Sequence, residues 1–203
     1  MAKVTLSYFD MSVSRGEECR LALFVAGMEF VDERIPFADW EKRKPHTPYG
    51  ALPVLTVEGH PPVAQSNAIL RLVGSLNGLH PSDPWEAARH EALMGAIEDL
   101  RVRVGATKLK DDLERKRARE EVAQGFMQEW GTHVEAQLGD PFVGGAALQV
   151  ADLKLFVAMG SFLSGRLDGI PVDVFKAFPK LGRHTEAVRS HPRVQAWTKR
   201  QLV

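Results

Sequence analysis

Hydrophobic and polar positions in the first part of the chain follow the spacing of a strand, then a helix, then a second strand. Residues 3–9 alternate and are rich in strand-forming side chains, which predicts a strand. Residues 15–26 place leucine, phenylalanine and alanine at helical spacing, and Gly27 is suited to follow the end of that helix. Residues 30–35 predict a second strand. A right-handed crossover through the helix would make the two strands parallel.

The next segment predicts a hairpin and a further helix. Residues 37–49 are irregular, whereas the runs at 54–57 and 63–64 predict two short strands around a turn. A helix is then predicted from Ser66 to about residue 76. The order β-α-β, loop, β-β-α is that of a thioredoxin-like fold. Residues 1–77 are therefore predicted to form an α/β domain.

The pattern changes after a segment with two prolines and a glycine, residues 78–85, which predicts a linker. Beyond it the apolar positions follow only the helical period, and residues 86–203 are predicted to form an all-α domain. The predicted helices run from Trp85 to Lys110, Leu113 to Leu138, Val150 to Gly165, Phe175 to Ser190 and Arg193 to Leu202. The predicted fold class is thus an α/β thioredoxin-like domain followed by a helical domain.

Composition narrows the classes of partner. Lysine plus arginine equals aspartate plus glutamate at 26 each, which argues against nucleic acid or anionic lipid as a ligand. No apolar run approaches the ~20 residues of a membrane span, and no signal peptide precedes the first strand, so a cytoplasmic protein is predicted. The single cysteine, Cys19, lies mid-helix and predicts a buried small residue. The seven histidines lack metal-ligand spacing, so no metal site is predicted.

The segment Ala51-Leu52-Pro53 is the first candidate for ligand binding. Pro53 stands directly before a strand and fixes where ladder pairing begins. If the Leu52–Pro53 peptide bond is cis, the backbone N–H and C=O of Leu52 are free to pair with an extended ligand, as an added strand would. An ordinary hairpin with an edge proline is the alternative.

The dipeptide Gln65-Ser66 is the second candidate. Ser66 stands where a helix begins, and a helix start offers unpaired N–H groups that suit a carboxylate. A strand-like docking edge beside an anion-binding helix end indicates a short acidic peptide as the ligand.

At the level of individual residues the chain resembles the cytosolic glutathione transferases. The resemblance is greatest to the tyrosine-using sigma, pi and mu group and within it to sigma. It implies glutathione, an acidic tripeptide, as co-substrate, in agreement with the ligand inferred above. The matching residues are Tyr8-Phe9-Asp10, Arg34-Ile35-Pro36-Phe37-Ala38-Asp39-Trp40, Lys44, Leu52-Pro53, Gln65-Ser66-Asn67-Ala68-Ile69-Leu70-Arg71 and Glu98-Asp99-Leu100.

The resemblance implies that the Tyr8 hydroxyl stabilises the glutathione thiolate. Lowering the thiol pKa from about 8.5 to about 6.5 requires about 2.7 kcal/mol, and one hydrogen bond to a charged acceptor, which contributes roughly 1.5–3 kcal/mol, almost suffices. Arg15 would add positive potential nearby. Ser12 and Ser14 are the alternatives, because other classes use a serine before the first helix and this loop is one residue longer than in the sigma pattern.

Further contacts with glutathione follow from the same resemblance. Trp40 and Lys44 would hold its glycine carboxylate, Ala51, Leu52 and Pro53 its backbone, and Gln65 and Ser66 its γ-glutamyl carboxylate. Asp99 would reach into the site of a partner subunit; the alternative is an ordinary surface acid. Tyr49 resembles an aromatic key inserted between partner helices. Asp99 and Tyr49 together predict a homodimer.

The implied reaction is conjugation of glutathione to small hydrophobic electrophiles, of the kind used in detoxification. The residues expected to form the electrophile wall are Met11, Val13, Arg103, Val104 and Leu109. A glutathione-dependent isomerase or peroxidase is an alternative enzyme, and a non-catalytic binding or structural protein is the alternative from another class.

One departure from the family pattern concerns Gln149-Val150-Ala151-Asp152. The family starts its central helix with Ser/Thr-x-x-Asp, and here the hydroxyl is missing while the acid remains. Asp152 is still expected to favour the helix N-terminus, so the fold should form.

Overall fold

The computed structural model describes residues 2–109 and 111–200, without the side chain of Leu109. The chain divides into two compact units. The first unit comprises residues 1–82 and 191–203, and the second comprises residues 83–190. In the part of the chain that is described, no helix is long and apolar enough to span a bilayer.

A four-stranded mixed sheet forms the centre of the first unit. Its strands are β1 (Val4–Phe9), β2 (Val31–Ile35), β3 (Val54–Val57) and β4 (Val63–Ala64), in the spatial order β2-β1-β3-β4. The β1–β2 pair is parallel, and the β1–β3 and β3–β4 pairs are antiparallel. The parallel pair follows from the crossover through the first helix, and the hairpin follows from the turn after residue 57. The predicted thioredoxin-like topology is confirmed.

The helices of both units lie close to the predicted segments. Differences at their ends reflect local turns that hydrophobic spacing does not encode. The helices are α1 (Ser14–Val25), α2 (Trp40–Arg43), α3 (Ser66–Leu76), α4 (Pro84–Gly105), α5 (Asp112–Gln124), α6 (Phe126–Gln137), α7 (Val150–Phe162), α8 (Pro179–Ser190) and α9 (Pro192–Arg200).

Two segments differ from their predicted secondary structure. The segment expected as one helix from 113 to 138 is divided into α5 and α6 at Gly125, whose φ of −103° and ψ of −92° are not helical. The segment 37–49, expected to be irregular, contains α2 between short 3-10 turns. Lys110 and Leu202, the expected ends of two helices, lie outside the described residues.

The last helix, α9, packs against α1 in the first unit. The Phe24 and Trp197 rings lie 5.2 Å apart, and the Trp197 indole donates a 2.6 Å hydrogen bond to Oε1 of Glu17. The predicted boundaries 1–77, 78–85 and 86–203 assigned this helix to the helical domain. The observed contacts group it with the first unit instead, because α9 buries Val194 and Trp197 there.

The second unit is built around α7, whose side chains are buried almost all round. An apolar helix of this kind requires neighbours on every side, and α4 and α8 both contact it. Lys154 is fully buried on α7, and its ammonium donates a 2.6 Å hydrogen bond to Oε1 of Glu98 on α4. Helices α4 and α7 are therefore joined by a partly buried ion pair as well as by apolar contacts.

Asp152 connects the start of α7 with the preceding loop and with α8. Its side chain is fully buried and accepts hydrogen bonds from the backbone N–H of Gln149 at 2.8 Å and of Val143 at 2.7 Å. His184 Nε2 lies 2.8 Å from the same carboxylate. The expectation that Asp152 favours the helix start is confirmed, and the loop and α8 depend on it too.

Candidate functional site

Tyr8 is held at the end of β1 by contacts with α1. Its side chain is 5% exposed, and a methyl group built on Gly16 would overlap its ring, so only glycine lets α1 approach so closely. The guanidinium carbon of Arg20 lies 5.8 Å from the centre of the ring, within the range of a cation–π interaction. The phenol ring is thus fixed by a glycine and a buried cation.

Arg20 also fixes the loop that follows Tyr8. It is fully buried and donates to the carbonyl oxygens of Met11 at 2.7 Å and Phe9 at 3.4 Å. Its Nε donates to Oδ1 of Asp32 at 2.7 Å, and Glu17 lies 3.5 Å from its Nη1. A buried charge needs such compensation, and here it connects the loop, the sheet and α1.

The two alternative serines lie in different surroundings. Ser12 is exposed, and its hydroxyl accepts a 3.3 Å hydrogen bond from Nη1 of Arg34 on β2. Ser14 is half-buried as the first residue of α1, with a φ of 64°. A non-glycine residue in that region costs about 1–3 kcal/mol and is found most often at functional sites. Arg15 follows it and is also half-buried.

The segment before β3 has the geometry that the sequence suggested. The Leu52–Pro53 peptide bond is cis, and Ala51 is extended with φ −141° and ψ 155°. A methyl group built on Gly50 would lie 3.6 Å from Cγ and Cε of Lys44, so the lysine stem passes over this backbone. Lys44 and the residues 51–53 therefore lie on adjoining parts of one surface.

Gln65 and Ser66 form the start of α3, directly after β4. Gln65 has φ 73° and ψ 117°, a strained conformation for this residue type, and Ser66 is buried. The Gln65 side chain makes no capping hydrogen bond with this helix. The positive dipole end of α3 lies at these two residues and favours an anion.

Trp40 belongs to an aromatic group around Phe9, the last residue of β1. The Phe9 ring lies 5.4 Å from Trp40 in an edge arrangement and stacks on Phe37 at 4.6 Å.

Glu33 on β2 accepts hydrogen bonds from Ser7 at 2.5 Å and from Arg43 at 2.7 Å. The Ser7 bond lowers the pKa of Glu33, burial opposes this, and Arg43 lowers the pKa further. This carboxylate thus ties α2, and with it Trp40, to the sheet.

The remaining candidate residues are divided between the two units. Met11 and Val13 are half-buried in the first unit. In the second unit, Asp99 and Arg103 are exposed on α4, and Val104 is 6% exposed. The side chain of Leu109 lies outside the described part of the chain. The proposed electrophile wall and the proposed partner contact of Asp99 remain predictions.

Gly16 and Arg20, which contact the Tyr8 ring, are the residues of the candidate site that sequence reasoning missed. Nothing in the spacing of α1 distinguishes Gly16 from any other helical glycine. Arg20 did offer a signal, because it is a charged residue between apolar Cys19 and Leu21, and such a residue is buried only with partners. Cys19 itself is buried and forms no disulfide bond, as predicted.

Comparison with solved structures and characterised proteins shows full-length relatives. Glutathione S-transferase from Ascaris lumbricoides is 28% identical with a TM-score of 0.83, over 98% of this chain and 97% of that one. A monomeric glutathione S-transferase from the hookworm Necator americanus is 29% identical with a TM-score of 0.74, over 97% and 96%. Hematopoietic prostaglandin D synthase from Gallus gallus is 29% identical over 203 residues, covering 99% of this chain and 98% of that protein.

Family models match both parts of the chain. The model of the glutathione S-transferase N-terminal domain matches residues 4–75, which include the sheet and all but the last residue of α3. The model of the C-terminal domain matches residues 98–201, which is more than half of the chain. With a thioredoxin-like sheet, a cis-proline before β3 and these matches, the chain belongs to the glutathione S-transferase family.

Proposed function

We propose that this protein conjugates the thiolate of glutathione to small hydrophobic electrophiles, in a detoxification role in the cytoplasm. The observation that supports this best is the fixed phenol ring of Tyr8, held between Gly16 and Arg20 at the end of β1. Residues with the geometry of a peptide-binding edge lie in the same unit. The family uses glutathione as its co-substrate.

In the proposed complex, the cysteinyl part of glutathione pairs with the backbone of Leu52 next to the cis bond. The glycine carboxylate is held by the Trp40 indole and the Lys44 ammonium. The γ-glutamyl carboxylate lies at the start of α3, where Gln65 and Ser66 supply donors and the dipole end is positive. Asp99 of a partner subunit would pair with the γ-glutamyl ammonium.

The chemical step requires a thiolate near neutral pH. The Tyr8 hydroxyl donates a hydrogen bond to the sulfur, which favours the anionic form over the thiol. Arg20, at 5.8 Å from the ring, polarises the phenol and so makes it a stronger donor. Because the ring is already fixed by Gly16, little conformational entropy is lost when the hydrogen bond forms.

Turnover of chlorodinitrobenzene with glutathione tests the proposed reaction. We expect saturable conjugation, with a rate that rises as pH increases through the lowered pKa of the bound thiol. The measurement is the absorbance of the conjugate over a range of pH. Calorimetry could show that glutathione binds while no electrophile of a panel is turned over. That result would contradict the proposed transferase activity and would favour the non-catalytic binding protein.

A glutathione-dependent isomerase is the second candidate. It is favoured by the 29% identity to the chicken prostaglandin D synthase over nearly the full length of both chains. The same thiolate would attack one endoperoxide oxygen, which forms an S–O bond and breaks the O–O bond, and the released alkoxide would take up a proton to become the hydroxyl. A base would then remove the proton from the carbon that carries the sulfur-bound oxygen, so that the ketone forms, the S–O bond breaks and the thiolate is regenerated. Isomerisation of a prostaglandin endoperoxide with no net consumption of glutathione distinguishes this activity from conjugation and from peroxidase activity.

A homodimer is the proposed assembly, with Tyr49 as the contact. Tyr49 is 83% exposed and has a φ of 57°, so its ring projects from a strained turn. A mostly apolar cavity of about 370 Å³ lies between α4 and α6, lined by Leu93, Ala96 and Trp130 among others. An exposed aromatic ring and an apolar cavity on one chain are the two complementary parts that a two-fold interface requires.

Replacing Tyr49 with alanine is expected to weaken the dimer. A buried aromatic anchor contributes at least about 2 kcal/mol, so the dissociation constant should rise about thirtyfold or more. Sedimentation velocity over a concentration series measures it, with Tyr49→Phe as the control that keeps the ring. A wild-type protein that is monomeric at all concentrations, as the Necator relative is described, would contradict the proposal.

A further inference from the structure

We propose that Asn77 is a site of spontaneous covalent modification that weakens the end of α3. The backbone nitrogen of Gly78 attacks the Asn77 side-chain amide, and the residue becomes aspartate or isoaspartate. The two residues directly follow α3, which ends at Leu76. Asparagine is among the side chains that are least stable chemically. Neither residue is assigned to glutathione, so the inference does not depend on the proposed function.

The reaction needs only water as a co-reactant. The Gly78 nitrogen forms a bond to Cγ of Asn77 while the Cγ–Nδ2 bond breaks, and ammonia leaves with the proton that the Gly78 nitrogen gives up. The product is a five-membered succinimide ring. Water then opens the ring at one of its two carbonyl carbons. One opening gives aspartate, and the other gives isoaspartate, in which the backbone runs through the former side chain.

Gly78 presents little obstacle to this attack. It has no Cβ, it is exposed, and its φ is 70°. A methyl group built on it would meet no other heavy atom within 4 Å, so there is room for the ring and for water. Its N–H makes no hydrogen bond with the described residues 2–109 and 111–200. The attacking nitrogen is therefore not held by the fold.

The Asn77 amide is held by few contacts. Its Nδ2 donates to the carbonyl oxygen of Val73 at 2.8 Å and to the sulfur of Met28 at 3.4 Å. Its backbone N–H donates to the carbonyl oxygen of Gly74 at 3.2 Å. With a ψ of 16°, the Gly78 nitrogen points away from the Asn77 side chain. Attack therefore requires that these bonds break and that the backbone rotates about ψ.

The turn that must open is exposed to water. Leu76 is 69% exposed, and Asn77 and Gly78 are also exposed. Opening this turn breaks a small number of hydrogen bonds and uncovers little apolar surface. Segments of this kind open at a low free energy, well below that of global unfolding. The fold thus slows the reaction without preventing it.

The chain has one other dipeptide in which a glycine follows a residue that can form the same ring, Asp168-Gly169. There the Asp168 carboxylate accepts a hydrogen bond from Arg119. A methyl group built on Gly169 would lie 2.5 Å from the carbonyl oxygen of Lys116, so this backbone is closely packed. The structure therefore favours the reaction at Asn77 and opposes it at Asp168.

The modification changes how α3 ends. A carboxylate at position 77 cannot donate to the Val73 carbonyl, and it places a negative charge at the negative end of the helix dipole. We expect Asn77→Asp to lower Tm by about 2–5 °C and Asn77→Ala, which adds no charge, by about half as much. Thermal unfolding measures both variants. A wild-type Tm for Asn77→Asp would overturn the effect on α3.

Incubation of the folded protein at mildly alkaline pH, followed by trypsin and mass spectrometry, tests the modification itself. Trypsin cleaves after Arg71 and Arg89, so Asn77 and the chain's other asparagine, Asn67, fall in different peptides. Asn67 lies inside α3 and is followed by alanine, which makes it an internal control. We expect aspartate and isoaspartate to accumulate over weeks in peptide 72–89, while Asn67 keeps its amide. The rate in urea should be severalfold higher.

Two results would overturn the inference. If Asn77 keeps its amide in the folded protein while the chain in urea reacts, the native turn protects this residue fully. If Asn67 reacts as fast as Asn77, or if aspartate forms without isoaspartate, the amide is lost by direct hydrolysis and Gly78 has no part in it.

Discussion

The variant Tyr8→Phe is expected to lose roughly 10- to 150-fold in kcat/KM for glutathione conjugation, the equivalent of one hydrogen bond to a charged acceptor. The pKa of the bound thiol should rise by about 1–2 units towards its value in water. The pH profile of kcat/KM and the ultraviolet absorbance of the bound thiolate measure the two effects. The phenylalanine ring retains the packing against Gly16 and Arg20, so the loss reports on the hydroxyl alone.

Two control variants make the Tyr8 experiment specific. Tyr49→Phe also removes a phenol hydroxyl, from an exposed position, and should leave the thiol pKa unchanged. Ser12→Ala removes the hydroxyl that Arg34 binds. If Ser12→Ala raises the thiol pKa while Tyr8→Phe retains wild-type kinetics, the sulfur is stabilised by the serine and the assignment to Tyr8 is wrong.

The variant Asp152→Ala is expected to lower the free energy of unfolding by about 3–5 kcal/mol, a typical result when one partner of a buried charged network is removed. Three groups lose their acceptor at once: the N–H groups of Val143 and Gln149, and His184. A buried donor without a partner costs about 1–3 kcal/mol. For a chain of 203 residues we expect a decrease in Tm of about 10 °C.

Asp111→Ala is the matched control for Asp152→Ala. Asp111 also accepts two backbone hydrogen bonds at a helix start, from Leu113 and Glu114, but it is exposed. Water replaces the lost acceptor there, so its loss should cost only about 1 kcal/mol. Urea and thermal unfolding measure both variants. If both variants lose an equally small free energy of unfolding, burial of Asp152 contributes little to stability and its three donors find other partners.

The sheet was predictable because local patterns determine it. Strand alternation in residues 3–9 and the run at 54–57 define two neighbouring strands, and Pro53 marks where pairing begins. The strained conformation of Gln65 could not be predicted, since it depends on how β4 meets α3. The sequence identified these residues as candidates for the site, but their backbone angles could be read only from the structure.

The features that the sequence did not predict depend mostly on contacts between residues that are far apart in the chain. His184 and Asp152 are 32 residues apart, and no spacing rule connects a histidine on α8 with the start of α7. The break at Gly125 interrupts a continuous helical period, so only its backbone angles reveal it. Helix α9 has the same kind of pattern as the helices before it, and its packing on α1 depends on a contact between Phe24 and Trp197.

The packing of α9 on α1 has a consequence for how the protein is made. The second unit is continuous in the chain, so it can fold while synthesis is still under way. The first unit has its sheet at the beginning of the chain and its last helix at residues 192–200. Until that helix has left the ribosome, Phe24 lacks the Trp197 ring that packs against it, and the nascent chain would expose this apolar side chain to chaperones.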